Sequence, residues 1–267
     1  METDFNKYKE AYNYIEPPGL YHDWVTGTSA SQSINVYAFD NHRFLFYALA
    51  TFDYTFPPPE KIDFLPLTLI SFDYHCDLVP PYNVDITNLG KVNLTDRKDV
   101  AFFTWNSLSP QNDNHIKSAM YLNMLSDAFI LCKEERDNND PFVDQNGNTH
   151  NIDVFTNFEN FKNEILQIRG GIVLDIDLDY FMDKRTDQDG HERNYIDNYK
   201  KYMIFFRSPA NDWLKIIADK IKLITIAKEP GHCGSMVNSN ILFNELLSCL
   251  FTGRLFCAHN SSARINI

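Results

Sequence analysis

The sequence lacks the features of a secreted, membrane-spanning or zinc-ribbon protein. Its 267 residues include only five cysteines, and no two of them form a Cys-x-x-Cys pair, so neither a disulfide framework nor a zinc ribbon is indicated. No apolar run reaches the roughly 18 residues that a membrane-spanning helix needs. The first residues, Met1–Phe5, lack the apolar core of a signal peptide, so we expect a cytoplasmic protein with no membrane partner.

Positive charge is also scarce. The chain has 24 lysines and arginines against 36 aspartates and glutamates, which gives a formal net charge of −12. A nucleic-acid partner is not expected on that balance, because such binding depends on clustered cations. An acidic surface would attract a cationic substrate, although it also favours solubility.

The chain does contain an ordinary share of core-forming residues. Hydrophobic residues make up 44% and charged residues 22%, which is typical of a globular protein. The length is near the upper limit for one hydrophobic core, so we expect a single domain over residues 1–267. Within it, residues 1–32 are predicted to be an N-terminal arm, and residues 138–150 and 183–198 to be loop insertions.

Strand and helix patterns alternate along the chain. Apolar or alternating runs predict strands at Ile34–Phe39, Leu67–Phe72, Val100–Trp105, the start of Ile172–Phe181, and Lys222–Ala227. Helical spacing is found in Phe44–Phe52, His115–Leu125, Phe155–Ile168, Tyr199–Phe206, Pro209–Lys220 and Asn238–Leu250, whereas residues 79–99 have the composition of a loop. This alternation predicts an α/β fold with a central, mainly parallel sheet and helices on both faces.

Two of the predicted strands run into clusters of acids. In Ile172–Phe181, three aspartates recur at every second residue, so an extended strand would place Asp175, Asp177 and Asp179 on one face. Burying unpaired carboxylates there costs on the order of several kcal/mol each. A second stretch, Leu69–Asp77, has the same pattern of apolar residues followed by acids, here in an Asp-x-His-x-Asp sequence. A hard cation at the ends of these strands would offset the cost.

Clusters of acidic residues and histidines follow four separate predicted strands. The clusters are Asp40–His42, Asp73–Asp77, Asp175–Asp179 and Glu229–His232. In a parallel sheet they would meet at the carboxyl edge, where α/β proteins bind ligands. Histidines and carboxylates together favour an ion such as Mn²⁺, and the ligands outnumber those of a single tetrahedral zinc. The pattern therefore predicts a site for two metal ions.

At this point the sequence resembles a known family, the ureohydrolases, which include arginase and agmatinase. The family's Gly-Gly-Asp-His, Asp-Ala-His-x-Asp and Ser-Phe-Asp-x-Asp-x-x-Asp-Pro motifs are matched in order by Asp40–His42, Asp73–Asp77 and Leu174–Tyr180. The residues in these motifs are more similar to those of the peptide arginases, which convert arginine side chains of ribosomally made bacterial peptides to ornithine. The resemblance covers about residues 34–232 and implies a three-layer arginase/deacetylase-like fold.

The resemblance also implies a set of metal ligands. Two Mn²⁺ ions would be bound by His42, Asp73, His75, Asp77, Asp175 and Asp177. Asp73 and Asp175 would bridge the ions, with His42 and Asp77 on one side and His75 and Asp177 on the other. Asp179 would act from outside the ligand set.

The same resemblance implies the catalytic and substrate-binding residues. Hydroxide held between the ions would hydrolyse the guanidinium group of an arginine-containing precursor peptide, giving urea and ornithine. Glu229 would pair with the guanidinium group, and His115 would pass a proton to the leaving amine. Asp77 is counted with these catalytic residues, and His232 is a candidate for the mouth of the substrate site.

Two alternatives remain open on the sequence alone. One is a ureohydrolase for free arginine, agmatine or another small guanidino compound, although Leu78–Asp99 lacks the polar loop that free-arginine arginases use. The other is a non-catalytic metal-binding scaffold. A lysine-deacetylase relationship is disfavoured, because those enzymes normally bind one zinc and would leave His42, Asp77 and Asp177 unexplained.

Overall fold

A nine-stranded sheet organises the computed structural model. The structure describes residues 19–29, 32–52, 66–134, 140–186, 192–207, 210–256 and 263–266. The described strands are β1 (Tyr21–Thr26), β2 (Ser33–Phe39), β3 (Leu67–Asp73), β4 (Leu125–Cys132), β5 (Phe142–Val143), β6 (Thr149–His150), β7 (Ile152–Phe155), β8 (Ile172–Asp177), β9 (Asp183–Thr186), β10 (Glu192–Tyr195), β11 (Ile221–Ala227), β12 (Phe251–Thr252) and β13 (Arg264–Ile265).

Helices connect most of these strands. The described α-helices are α1 (Phe44–Thr51), α2 (Asn83–Leu89), α3 (Arg97–Asn106), α4 (His115–Tyr121), α5 (Phe158–Ile165), α6 (Tyr199–Met203), α7 (Asp212–Ile217) and α8 (Met236–Leu250). Short 3₁₀ helices cover Leu178–Phe181 and Ile204–Phe206. Within the described ranges, no helix combines the length and the apolar character needed to cross a bilayer.

The middle of the sheet is parallel throughout. The strand order is β12-β13-β1-β2-β11-β8-β3-β4-β7, and every neighbouring pair from β2 to β7 is parallel. Only β1 with β2 and β12 with β13 are antiparallel in this sheet. The prediction of an α/β fold with a mainly parallel central sheet is therefore confirmed. All carboxyl ends from β2 to β7 lie along one edge, where the candidate residues follow.

The central strands form because they are apolar on both faces. All seven residues of β3 and all six of β8 are buried, as expected for strands covered by helices on either side. One apolar cluster contains residues of α5 to α8 and packs against one face, with Trp213 and Phe161 at its centre. A second cluster on the other face contains residues of α1, α3 and α4, including Phe46 and Met120.

The strand predicted at Val100–Trp105 is wrong, because these residues belong to α3. The Asp96 side chain accepts the backbone N–H of Lys98 at 2.9 Å and so caps the helix start. Val100 and Phe103 are buried whereas Trp105 is 47% exposed, which is a helical rather than an alternating pattern. The apolar β-forming residues were outweighed by the cap and by burial against α1.

Two further boundaries also differ from prediction. The loop predicted over residues 79–99 contains α2 and the start of α3. The helix that His115 opens ends at Tyr121 instead of continuing to Leu125, because Asn123 adopts a left-handed φ of 55° and Leu125 begins β4. Ser208 and Pro209, near the predicted start of another helix, lie outside the described residues.

The predicted arm and loop insertions contain regular structure where they are described. Tyr21–Thr26, within the predicted arm, forms β1 and pairs along its whole length with β2. The rest of the arm, apart from a few residues next to β1, lies outside the described residues. Small hairpins, β5 with β6 and β9 with β10, occupy the described parts of residues 138–150 and 183–198.

Candidate metal centre

Four strand ends bring the candidate residues together. Asp73 is the last residue of β3 and Asp177 the last of β8, while His42 and Glu229 follow β2 and β11 closely. The register pairs Phe39 with Ala227 and Ala227 with Asp177, so these strands end at the same level. Parallel pairing thus places residues that are far apart in the sequence at one edge.

His42 lies at the centre of the innermost group. Its ring has no exposed surface, and its Nδ1 atom faces carboxylate oxygens of Asp77 at 3.1 Å, Asp177 at 3.2 Å and Asp73 at 3.3 Å. We call these four residues the inner pocket. Each can offer one ligand atom, and His42, Asp73 and Asp177 offer theirs within 4.8 Å of one another.

The inner pocket fits a divalent cation. His42 Nδ1 and Asp73 Oδ2 are buried and make no hydrogen bond. Three carboxylates gathered in a buried space repel one another and lose hydration, at a cost on the order of several kcal/mol per unpaired group. One imidazole nitrogen with several carboxylate oxygens is a donor set for Mn²⁺ or a similar ion. A cation between these atoms would satisfy all of them.

A second group lies nearer the surface. His75 Nδ1 is 3.1 Å from Asp179 Oδ2, and His232 Nδ1 approaches the same oxygen at 3.9 Å. We call His75, Asp179 and His232 the outer pocket; their ligand atoms also fall within 4.8 Å of one another. The His75 side chain is 24% exposed and that of His232 is 50% exposed. Asp179 Oδ2 is buried without a hydrogen bond, so this group too can accept a cation.

Asp175 is not arranged as a bridging ligand would be. It contacts His42 from the opposite edge of the ring, with Oδ2 2.8 Å from Nε2. Its oxygens also accept hydrogen bonds from Ser71 Oγ at 2.8 Å and Thr225 Oγ1 at 2.6 Å. Asp179, expected outside the ligand set, instead contributes to the outer pocket and lies within ligand range of Asp177 and Glu229.

Local backbone geometry explains why Asp175 and Asp179 face different neighbours. Strand β8 ends at Asp177, and Leu178–Phe181 continues as a 3₁₀ helix whose first turn is fixed by Asp177 Oδ1 accepting from Asp179 N at 3.0 Å. The alternation assumed for a continuous strand therefore stops before Asp179. Its Oδ1 accepts the backbone N–H of Tyr74 at 3.0 Å, which turns Oδ2 towards His75.

The pKa shifts separate the three acids of the inner pocket from Asp175 and Asp179. Burial, followed by repulsion from neighbouring carboxylates, raises the pKa of Asp73 and Asp177 well above the usual range. Burial also raises the pKa of Asp77. For Asp175 the cost of burial is outweighed by His42 and the Thr225 hydroxyl, so its pKa is lowered. Asp179 behaves similarly, because His75 offsets its burial.

Glu229 closes one side of the inner pocket. Its Oε1 atom accepts the backbone N–H of His42 at 3.0 Å and a hydrogen bond from the Asn112 side chain. Burial raises its pKa, and Oε2 lies 3.8 Å from His232 Nε2 at the rim. Glu229 therefore stands beside the inner pocket with one oxygen held by the protein and the other directed towards the outer pocket. Asn112 has no sequence signal that links it to this site.

His115 lies behind His42. Its ring is fully buried, with its centroid 4.5 Å from that of the His42 ring, and among the described residues neither of its nitrogens has a hydrogen-bond partner. Burial and then the proximity of His42 lower its pKa well below the usual value. Its ligand atom also falls in one group with those of His42 and Asp77. A neutral imidazole in this position can accept a proton or bind a cation.

Three site residues adopt left-handed backbone conformations. The φ angles are 50° for Asp77, 61° for Asn112 and 32° for Glu229, and non-glycine residues adopt such values at a cost of about 1 kcal/mol or more. Strained backbone of this kind concentrates at functional sites. From these positions the Asp77 carboxylate lies 3.1 Å from His42 Nδ1 and the Glu229 carboxylate accepts the His42 backbone N–H.

No protein-family model matches the chain, and no curated protein matches it.

Proposed function

We propose that the protein is a manganese-dependent peptide arginase with an arginase-like fold. It would hydrolyse arginine side chains of a precursor peptide to ornithine and urea. The observation that carries the proposal is the inner pocket, where His42 Nδ1 faces three carboxylate oxygens within 3.3 Å. Such an arrangement is costly without a cation and suited to a divalent one.

The geometry favours a revised ligand set. His42, Asp73, Asp77 and Asp177 would hold the first ion, and His75 and Asp179 would help to hold the second. The family motif Ser-Phe-Asp-x-Asp then corresponds to Asp175-Ile176-Asp177-Leu178-Asp179, with Asp175 in the place of the serine. This assignment moves Asp175 out of the predicted ligand set and Asp179 into it.

Glu229 gives the site its preference for a guanidinium group. A carboxylate binds that planar cation through charge-assisted hydrogen bonds and orients its central carbon. Glu229 Oε1 is held by Asn112 and the His42 backbone, so the carboxylate is fixed before substrate arrives. Bound divalent ions would lower the pKa of water and so supply the nucleophile at neutral pH.

The reaction consumes one water. Its oxygen adds to the guanidinium carbon, and the bond from that carbon to the side-chain nitrogen breaks. Both hydrogens of the water pass to the departing nitrogen, so the products are urea and the ammonium group of ornithine. His115 is the candidate carrier of one of these protons, since it is buried next to His42 and a neutral imidazole there can accept a proton and pass it on.

Two features support a peptide rather than a free amino acid. The region after the Asp-x-His-x-Asp motif forms α2 and α3, where free-arginine arginases carry a polar loop for the amino acid's charged groups. The rim residue His232 is half exposed, so the site is accessible from the outer-pocket side. The net charge of −12 favours a cationic side chain.

Urea release tests the proposal. The protein would be stripped with a chelator, reloaded with Mn²⁺ and given an arginine-containing peptide, the same peptide with lysine in place of arginine, free arginine and agmatine. We expect urea and an ornithine-containing product from the arginine peptide alone. Release only from free arginine or agmatine would favour the small-molecule alternative. Bound Mn²⁺ without urea from any compound would favour a scaffold.

A substitution at Glu229 tests the substrate contact separately. Glu229→Gln removes the charge and keeps the shape, so we expect kcat/KM to fall about 10-fold to 100-fold, the equivalent of one hydrogen bond to a charged group. Metal content should be unchanged. Glu159→Gln, at an exposed position of α5, is the matched control. Unaltered kinetics for Glu229→Gln would contradict the assignment.

A further inference from the structure

Asp175 is held by three side-chain donors in the middle of the sheet. It has no exposed surface. The strand register places Ser71 of β3 and Thr225 of β11 directly beside it, on either side of β8. Both hydroxyls donate to its carboxylate, and His42 Nε2 lies at 2.8 Å. Oδ2 thus faces two donors, Ser71 and His42, while Oδ1 faces Thr225.

This environment decides which nitrogen of His42 carries the proton. A carboxylate that already accepts two hydroxyl hydrogens can only act as a further acceptor, so Nε2 of His42 must be the donor. A neutral imidazole then has its lone pair on Nδ1, the atom that faces Asp73, Asp77 and Asp177. Carboxylates commonly orient metal-binding histidines in this way.

We propose that Asp175 is a positioning residue that fixes the tautomer and orientation of His42 for metal binding, and is not itself a ligand. The inference rests on the proposed metal centre. Its structural basis is the carboxylate held between Ser71 and Thr225, which fixes the acceptor before His42 binds it. Asp175 therefore acts through His42, from the side of the ring opposite to the ion.

Mn²⁺ binding distinguishes a positioning residue from a ligand. Asp175→Asn and Asp177→Asn would be compared with the wild type by calorimetric titration and by metal content at saturating Mn²⁺. We expect Asp175→Asn to bind about 10-fold to 100-fold more weakly but still to take up two ions at saturation. Asp177→Asn should bind fewer than two ions per chain even at saturating Mn²⁺. Equal losses of ions in the two variants would make Asp175 a ligand, and unchanged affinity in Asp175→Asn would remove its role.

The nitrogen signals of His42 provide a spectroscopic readout. In wild-type protein loaded with diamagnetic Zn²⁺, NMR of labelled imidazole should show the proton of His42 on Nε2. In Asp175→Asn the amide can present N–H to Nε2, so this signal should be lost or weakened. A wild-type proton on Nδ1 would overturn the inference, even if the protein binds metal and releases urea.

A milder variant keeps the inference testable if Asp175→Asn does not fold. Thr225→Val removes one hydroxyl donor to Asp175 and nearly preserves volume. We expect a severalfold weaker Mn²⁺ affinity, and an unchanged affinity would count against the inference. The matched control is Thr104→Val, since this buried hydroxyl donates to the Val100 backbone in α3. If the wild-type protein binds no Mn²⁺, both the proposed metal centre and this inference fail. If the wild-type protein releases urea normally and Thr225→Val binds Mn²⁺ with unaltered affinity, only this inference fails.

Discussion

The inner and outer pockets are built from the same residue types but held in different ways. The inner pocket gathers His42, with no exposed surface, and acids at the ends of buried strands. The outer pocket includes His75 and, at its rim, His232, whose side chains are 24% and 50% exposed. His75 Nε2 also lies 3.0 Å from Lys184 Nζ, a cation that a second ion would have to tolerate.

The difference predicts unequal roles for the two pockets. Asp73 and Asp177 are the last residues of buried strands and His42 is fully buried, so the inner pocket is ready for an ion with little loss of conformational freedom. The outer pocket must order partly exposed side chains, so it should bind its ion more weakly and exchange it faster. Its exposure also makes it the part of the site that a substrate would reach first under the proposed function.

Removal of an inner ligand should have the largest effect. We expect His42→Ala to abolish tight Mn²⁺ binding and to lower urea release by more than about 100-fold, beyond the range for residues that only support a ligand. Metal content and initial rates provide the measurement. Asp219→Asn, at an exposed position after α7, is a control that should leave both unchanged. A His42→Ala protein with two tightly bound ions would remove the distinction between the pockets.

Removal of an outer ligand should have a smaller and different effect. His75→Ala should keep one tightly bound Mn²⁺ per chain and lose the second, with activity reduced by roughly 10-fold to 100-fold. The reason is that His75 is not one of the four residues proposed to hold the inner ion. Metal analysis after dialysis distinguishes the two states. Complete loss of metal in this variant would show that the inner pocket cannot hold an ion alone.

The stability of the metal-free protein should depend on pH through the ionisable residues of the inner pocket. The pKa values of Asp73, Asp177 and His42 are raised in the folded state; burial and neighbouring acids raise those of the two aspartates. Burial alone would lower that of His42, but nearby carboxylates, with Asp175 the strongest, raise it. The folded chain then binds more protons than the unfolded chain, so their contribution to stability is lost as pH rises through the folded pKa values.

We therefore expect the chelator-treated protein to become less stable as the pH rises above about 6.5, the ordinary pKa of histidine. Mn²⁺ should reverse this loss, with a gain of about 2.7 kcal/mol at 100 times its dissociation constant. Asp175 and Asp179 have lowered pKa values and act in the opposite sense, at more acidic pH. Urea unfolding with and without Mn²⁺ measures both effects. A metal-free stability that increases as the pH rises above about 6.5 would contradict the expectation.

The smallest effect is expected at the rim. His232 is half exposed and approaches Glu229 at 3.8 Å and Asp179 at 3.9 Å. Exposed charge pairs contribute about 0–1 kcal/mol, so His232→Ala should change kcat/KM by less than about fivefold. Metal content should stay at the wild-type value. A larger loss, or loss of an ion, would make His232 a ligand of the outer pocket rather than a rim residue.

Much of the fold was readable from hydrophobic patterns. Continuous apolar runs predicted β3 and the start of β8, and these strands are fully buried. The pattern failed at Val100–Trp105, where aromatic and β-branched residues suggested a strand but the Asp96 cap and one-sided burial produced a helix. Local composition does not reveal which face of a segment will meet the sheet.

The candidate site was predicted in outline but not in its division of roles. The Asp-x-His-x-Asp sequence and the repeated aspartates indicated a metal site, and the structure gathers these residues at one edge. The alternation rule treated Asp175, Asp177 and Asp179 as equivalent members of one strand face. The chain leaves the strand at Asp177, so Asp179 turns towards His75 while Asp175 stays inside the sheet.

The sequence by itself determined which chemistry is available: the buried strands, the acids at their ends, and the histidines that follow. These depend on residue type and on spacing along one segment. The partners of each side chain were decided only by the tertiary structure, because Ser71, Thr225 and Asn112 reach their acids through strand register and loop packing. Asp175 holds His42 because neighbouring strands place two hydroxyls beside it, a contact that no local pattern encodes.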